Sequence, residues 1–163
     1  CQLFRKTFES IAGKHPDTEA DYGYIDAFMQ WLTRSPEHYD VVVTSNMFGD
    51  ISTDLGAVLQ GGMGMAASGN IGDQHAFFEP VHGSAPDIMG QSKANPCACI
   101  LSLAMALRYS FDQGKEASRL ESAIETVLGK GIRTGDLMQT DGGKAVSTSE
   151  MTDAIISELQ ASL

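Results

Sequence analysis

Apolar residues along this chain recur with two periods, and the alternation between them predicts the elements. Leu3, Phe4, Phe8, Ile11 and Ala12 fall near a helical repeat with charges between them, and Gly13 can end that helix. Tyr22 to Ile25 is a short aromatic and β-branched run that predicts a strand. Asp26 can then cap a helix carrying Phe28, Met29, Trp31 and Leu32, which stops before Pro36. The continuous run Asp40-Val41-Val42-Val43-Thr44 predicts a buried strand. Asn46 to Asp50 reads as a turn, with a helix after it to about Gln60. Gly61-Gly62-Met63-Gly64-Met65 reads as a hinge or domain crossing, because a phosphate loop would require a following Lys-Ser/Thr. Asn95 to about Phe111 is the longest helical pattern, with Pro96 in its first turn, and its nearly all-round apolar character predicts a central helix. A helix from about Lys115 to Leu128 ends at Gly129. The last helix opens on a capping box, Ser147-x-x-Glu150, ahead of Met151, Ile155, Ile156 and Leu159. Strands alternating with helices predict an α/β architecture, with no internal repeat.

Composition narrows the function. The chain has 163 residues, 42% apolar and 20% charged, as in an ordinary globular protein with one sizeable core or pieces of two. A formal charge of −10 argues against nucleic acid and anionic membrane surfaces as partners. No apolar stretch reaches the roughly 18–20 residues that span a bilayer; the longest, Cys97 to Leu107, is interrupted by Ser102. No signal-peptide pattern opens the chain, so a cytoplasmic location is expected. Cys97 and Cys99 stand too close for an ordinary disulfide framework, and reduced thiols are the simplest reading of the three cysteines. His15, His38 and His75 have no partner pattern and are expected at the surface, whereas Trp31, Tyr109 and the methionines are expected in the core.

Two segments carry candidate chemistry. Phe78-Glu79-Pro80-Val81-His82-Gly83-Ser84-Ala85-Pro86-Asp87-Ile88 suits neither a helix nor a strand interior. It could be a tight surface turn, or a loop that presents backbone N–H groups and a carboxylate to a ligand at the mouth of an α/β sheet. Asp50 and Asp54 sit at i and i+4, so on a helix they share a face. That spacing fits either a capped, solvated helix face or a pair of hard oxygen ligands for Mg²⁺ or Mn²⁺.

Both strings, Ser45-Asn46-Met47-Phe48-Gly49-Asp50-Ile51-Ser52-Thr53-Asp54 and the His82-Gly83-Ser84-Ala85-Pro86-Asp87 loop, closely resemble the β-decarboxylating dehydrogenases. That family includes the isopropylmalate, isocitrate, homoisocitrate and tartrate enzymes, and the resemblance runs from about Leu3 to the end of the chain. It implies an isopropylmalate dehydrogenase-like α/β fold, of which this chain would be the C-terminal half of a two-domain subunit. Asp50 and Asp54 would hold Mg²⁺ or Mn²⁺, and Asp26, in Tyr24-Ile25-Asp26-Ala27, would act catalytically and at the metal site of a partner subunit. His82, Gly83, Ser84 and Ala85 would cradle the dinucleotide, Asp87 with Ile88 would read the adenosine ribose, and Asn95 would contact the adenine. Glu79 could orient the loop or touch the nicotinamide ribose. A carboxylate at Asp87 repels a 2′-phosphate, so NAD is the expected cofactor.

The resemblance also implies oxidative decarboxylation of a small 2-hydroxy-3-carboxy acid by a homodimeric parent. Isopropylmalate leads among the substrates, with tartrate, homoisocitrate and isocitrate as alternatives, and a non-catalytic binding or regulatory subunit is the rival class. Residues 1–61 are expected in a smaller, dimerising domain with the metal site, and residues 62–163 in the cofactor domain. The family's catalytic lysine and tyrosine have no counterpart here, since neither Lys6 nor Lys14 matches the lysine, so this chain alone is expected to be inactive.

Overall fold

The computed structural model describes residues 2–138 and 144–162; Cys1, with any reading of its thiol, lies outside them. The chain divides into two compact units, Cys1–Val42 and Val43–Leu163.

Among the described residues the first unit holds two α-helices and a 3₁₀ turn, Pro36–His38. α1 (Gln2–Ala12) forms where the repeat predicts it, and Gly13 closes it by donating to the Glu9 carbonyl at 3.1 Å. Phe8 meets the Tyr22 ring edge-on at 5.4 Å, and the Arg5 guanidinium lies 4.7 Å from the same ring while bonding Glu9. α2 (Ile25–Arg34) buries Phe28, which packs edge-on against Tyr39. Two expectations change here. The strand at Tyr22 to Ile25 does not form: Tyr24 is the extended N-cap of α2, and its carbonyl accepts from Phe28 N. Asp26 therefore lies in the first turn instead of capping it, with Oδ1 accepting from Ala27 N. Trp31 is also outside the core, 48% exposed beneath Arg34.

The predicted buried strand at Asp40 to Thr44 is not found. The run belongs to no β-ladder among the described residues, and Val41 is 90% exposed. β-branched residues favour a pleated backbone only where neighbouring strands complete the ladder and cover the side chains.

In the second unit, α3 (Asn46–Leu59) absorbs the segment read as a turn, since Gly49 N already donates to the carbonyl of the N-cap Ser45. The helix ends in a Schellman arrangement, with Gly62 N donating to Ala57 O at 2.8 Å and Gly61 N to Val58 O at 3.2 Å. Gly61 and Gly62 adopt φ of 112° and 103°, which explains why glycines stand there. A short 3₁₀ turn, Met63–Met65, leads Met65 into the core.

Next comes an element the sequence reading missed, an antiparallel hairpin of β1 (Ala67–Ile71) and β2 (Ala76–Pro80). Its register runs from Ala67 opposite Pro80 to Ile71 opposite Ala76. α4 (Cys97–Tyr109) lies between this hairpin and α5 (Gly114–Gly129), and α6 (Thr148–Ala161) covers the far side of α5. Gly69 permits the close approach of the hairpin to α4: a Cβ there would lie 3.0 Å from both Met105 Cε and the Phe78 ring. The core unites Met65, Cys97, Ile124, Val127, Met151 and Ile155. α4 is central as predicted, although Tyr109 at its end is 57% exposed and not packed as expected. Met47 and Met89 also face solvent, whereas Met151 is fully buried. The capping box is present in full: Ser147 Oγ accepts from Glu150 N at 3.2 Å, and Ser147 N donates to Glu150 Oε2 at 2.7 Å. No helix of the described residues is long and apolar enough to cross a membrane.

Candidate functional site

α3 carries the paired carboxylates. Asp50 and Asp54 lie one helical turn apart on the same face, and both are exposed. Asn46, a turn earlier, donates from Nδ2 to Asp50 Oδ2 at 3.0 Å and so restrains one carboxylate. On the buried side of the helix, Ser52 Oγ donates back to the Phe48 carbonyl. The chain thus offers hard oxygen donors from a rigid element, a donor set suited to Mg²⁺ or Mn²⁺. Asp26 is exposed in the first unit, and among the described residues no group of three or more His, Cys, Asp or Glu side chains forms a metal cage. Two carboxylates alone are an incomplete shell for either ion, so any site built on α3 needs ligands from substrate, water or another chain.

β2 feeds directly into the second candidate segment. Glu79 is exposed in β2 opposite Ser68, one residue before the strand ends at Pro80. His82 is half-buried, with Nδ1 2.9 Å from the Gly83 carbonyl. A carbonyl can only accept, so Nδ1 carries the hydrogen of this bond and Nε2 is left to face a ligand. Gly83 and Ser84 are exposed, and a Cβ on Gly83 would meet nothing within 4 Å. Ala85 is a backbone outlier, with φ 44° and ψ 61° in the left-handed region. Such a conformation costs a non-glycine residue roughly 1–3 kcal/mol, and it sits immediately before a proline that itself restricts the preceding backbone. The strain is held by the 3₁₀ turn Pro86–Ile88, where Ile88 N donates to Ala85 O and Gln91 Nε2 donates to Asp87 O at 2.7 Å. The Asp87 side chain is exposed, and Ile88 beside it is half-buried.

Asn95 differs from the other candidates because its side chain is already engaged. It is 8% exposed, its Oδ1 accepts from Cys97 N at 2.9 Å, and its Nδ2 donates to Asp136 Oδ2 at 3.0 Å. The first bond caps α4 by satisfying the N–H of its first residue, and Pro96, expected in the first turn, stands instead at the N-cap position just before it. Cys97 is fully buried, and burial, assisted by the nearby Asp136 charge, pushes its thiol up to about 11; Cys99 is exposed, and both are free thiols. Asp136, Thr134 and Thr148 were not picked out from the sequence. Asp136 and Thr148 find partners far along the chain: Asp136 bonds Asn95, and Thr148 donates from Oγ1 and N to Ala94 O and Ser92 O, while Thr134 serves Asp136 two residues on. His15, His38 and His75 are exposed, as expected.

A family profile described as isocitrate/isopropylmalate dehydrogenase matches residues 1–155. Curated relatives include 3-isopropylmalate dehydrogenases from Ruegeria pomeroyi, 52% identical over 99% of this chain and 46% of the relative, and from Cereibacter sphaeroides, 55% identical over 92% and 42%. Among solved structures, isocitrate dehydrogenase from Methylococcus capsulatus superposes with a TM-score of 0.91 at 39% identity, covering 98% of this chain and 46% of that one. The chain therefore spans just under half the length of the curated relatives it matches. With a profile match across nearly all of its residues and this agreement in three dimensions, the chain belongs to the isocitrate/isopropylmalate dehydrogenase family.

Proposed function

We propose that this chain is the metal- and NAD-binding part of a 3-isopropylmalate dehydrogenase, an oxidative decarboxylase of a 2-hydroxy-3-carboxy acid. The observation that carries the reading is the placement of Asp50 and Asp54 on one exposed face of α3, in a chain more than half identical to two enzymes of that name. Asp50 and Asp54 hold Mg²⁺ or Mn²⁺, and Asp26 reaches the equivalent site of a second copy in a homodimer. Bound there, the cation would polarise the 2-oxo group of the oxidised acid so that CO₂ can leave. His82 with the Gly83-Ser84-Ala85 backbone cradles the dinucleotide, and the left-handed Ala85 supports this by turning the loop sharply ahead of Pro86. Asp87 accepts from the adenosine ribose hydroxyls beside Ile88, Asn95 meets the adenine, and Glu79 lies toward the nicotinamide end. NAD bound along this loop would supply the hydride acceptor for oxidation of the carbinol carbon, while the base that takes the hydroxyl proton and the acid that later returns one would have to come from outside the residues named here. In the whole protein, residues 1–61 belong to a smaller, dimerising domain and residues 62–163 to the cofactor domain; the burial of Met65 in the α4–α5–α6 core supports the second assignment, whereas in this chain α3 groups with the second unit.

The test is turnover by the full-length protein with NAD⁺ and Mn²⁺, comparing isopropylmalate, tartrate, homoisocitrate and isocitrate. NADH and CO₂ should form in equal amounts, fastest with isopropylmalate, and Asp54→Asn should weaken Mn²⁺ binding at least about tenfold. Preference for another of the four acids would reassign the substrate within the family. NAD binding without turnover of any acid would favour a non-catalytic subunit.

A further inference from the structure

The amide of Asn95 is fixed from two directions by partners of opposite kind. A backbone N–H (Cys97) can only donate and a carboxylate (Asp136) can only accept, so the two bonds together allow one orientation of the side chain. Asp136 is restrained in turn, because its Oδ1 accepts from Thr134 Oγ1 at 2.6 Å and Thr134 is fully buried. Gly64 forms the third wall. A Cβ there would lie 2.5 Å from Asp136 Oδ2, 2.8 Å from Asn95 Cβ and 3.0 Å from Asn95 Nδ2. The Asn95–Asp136 bond therefore sits in a slot that admits no added methyl group, linking the start of α4 to the turn Gly135–Leu137.

We propose that Asp136 is a positioning residue for dinucleotide binding, holding the Asn95 amide so that its second Nδ2 hydrogen and its backbone are presented to the adenine ring. The inference rests on the assignment of Asn95 to the adenine contact made above. Without the carboxylate, Nδ2 loses its partner, the amide can rotate, and the rotation trades away the bond that caps α4. A carboxylate suits this task because it accepts from Asn95 and Thr134 at once and offers no donor that would stabilise the flipped amide.

Binding separates this role from a merely structural one. In the full-length protein, NADH affinity measured by fluorescence titration should fall about tenfold in Asp136→Ala, the scale of one lost charge-assisted hydrogen bond. Asn95→Ala should lose a similar factor, and the double variant should bind no more weakly than the weaker single one, because one residue acts through the other. Asp136→Asn should bind within about threefold of wild type: its oxygen can accept from Asn95, and its amide can donate to the Thr134 hydroxyl. Mn²⁺ affinity should be unchanged throughout. A second measurement needs no substitution: in protein labelled at asparagine, the Asn95 side-chain amide resonances should shift with NADH and stay in place with nicotinamide mononucleotide, which lacks adenine. Multiplicative losses in the double variant, an unaltered NADH affinity in Asp136→Ala, or parallel loss of NADH and Mn²⁺ binding would each overturn the positioning role. Absence of NADH binding by the wild-type protein would instead overturn the adenine assignment beneath it.

Discussion

Replacing Gly64 by alanine probes the slot between Asn95 and Asp136 with the smallest available change. The new Cβ would begin 2.5 Å from Asp136 Oδ2 and 2.8 Å from Asn95 Cβ, where ordinary contacts start near 3.4 Å. Asp136 Oδ2 would therefore have to retreat by about 0.9 Å and Asn95 Cβ by about 0.6 Å. The carboxylate is the end of an exposed side chain and can move, at the expense of its bonds to Asn95 and Thr134. The Asn95 Cβ cannot move freely, because it is tied to a backbone next to the capped start of α4. Overpacking of this kind typically costs about 1–3 kcal/mol, offset by about 0.4–1 kcal/mol because alanine restricts the unfolded chain. A net loss of about 1–2 kcal/mol follows, or roughly 2–8 °C in Tm for a protein of this size. Gly129→Ala is the matched control: its φ is not left-handed, and its added Cβ meets nothing within 4 Å. There the unfolded-state effect stands alone and should stabilise by about 0.4–1 kcal/mol. Urea denaturation followed by circular dichroism gives both values, and the two substitutions should differ in sign. A Gly64→Ala protein as stable as wild type, or an equal loss in Gly129→Ala, would refute the steric reasoning.

Two further outcomes follow from the same unit. An Ellman-type reagent should label Cys99 rapidly and Cys97 only on unfolding; because the folded Cys97 thiol titrates near 11 against an ordinary value of 9.0, its contribution is intact below pH 9 and is lost as pH rises toward 11. Prompt modification of both thiols in the native protein would contradict the burial of Cys97. At the start of α6, Ser147→Ala should cost about 1 kcal/mol. The hydrogen bonds from Ser147 hold the Glu150 carboxyl below its ordinary 4.5, so that contribution is present above pH 4.5 and fades as pH falls further; denaturation midpoints in acid should show a smaller decline in Glu150→Gln than in wild type.

Elements set by local periodicity or capping were legible in the sequence, as α1, α5 and the Ser147–Glu150 box show. Elements that depend on distant partners were not. The Val41 to Val43 run carries strong strand propensity, yet no strand among the described residues pairs with it. The β1–β2 hairpin was hidden for the opposite reason: Ser68, Gly69 and Asn70 are poor strand formers, held by pairing with Phe77, Phe78 and Glu79 and by packing on α4. The candidate site divides in the same way. The i, i+4 relation of Asp50 and Asp54 is local and was readable, whereas Asp136 lies 41 residues from Asn95 and has no periodic context. Asn46 to Asp50 reads as a turn because its Asn, Gly and Asp suit turns equally well; in the structure the segment is helical, its first backbone bond running from Gly49 N to Ser45 O.

Cofactor choice in the full-length protein tests the proposed role of the Pro80 to Ile88 loop most directly. The exposed Asp87 carboxylate would repel the 2′-phosphate of NADP, and a like-charge clash worth several kcal/mol predicts a preference for NAD of at least about a hundredfold in kcat/KM. Replacing Asp87 by Lys together with Ile88 by Tyr should remove the clash, offer the phosphate a cation, and shift the NAD:NADP ratio toward NADP by at least about tenfold. A wild-type protein that prefers NADP, or a double variant whose ratio does not move, would mean that Asp87 does not read the ribose.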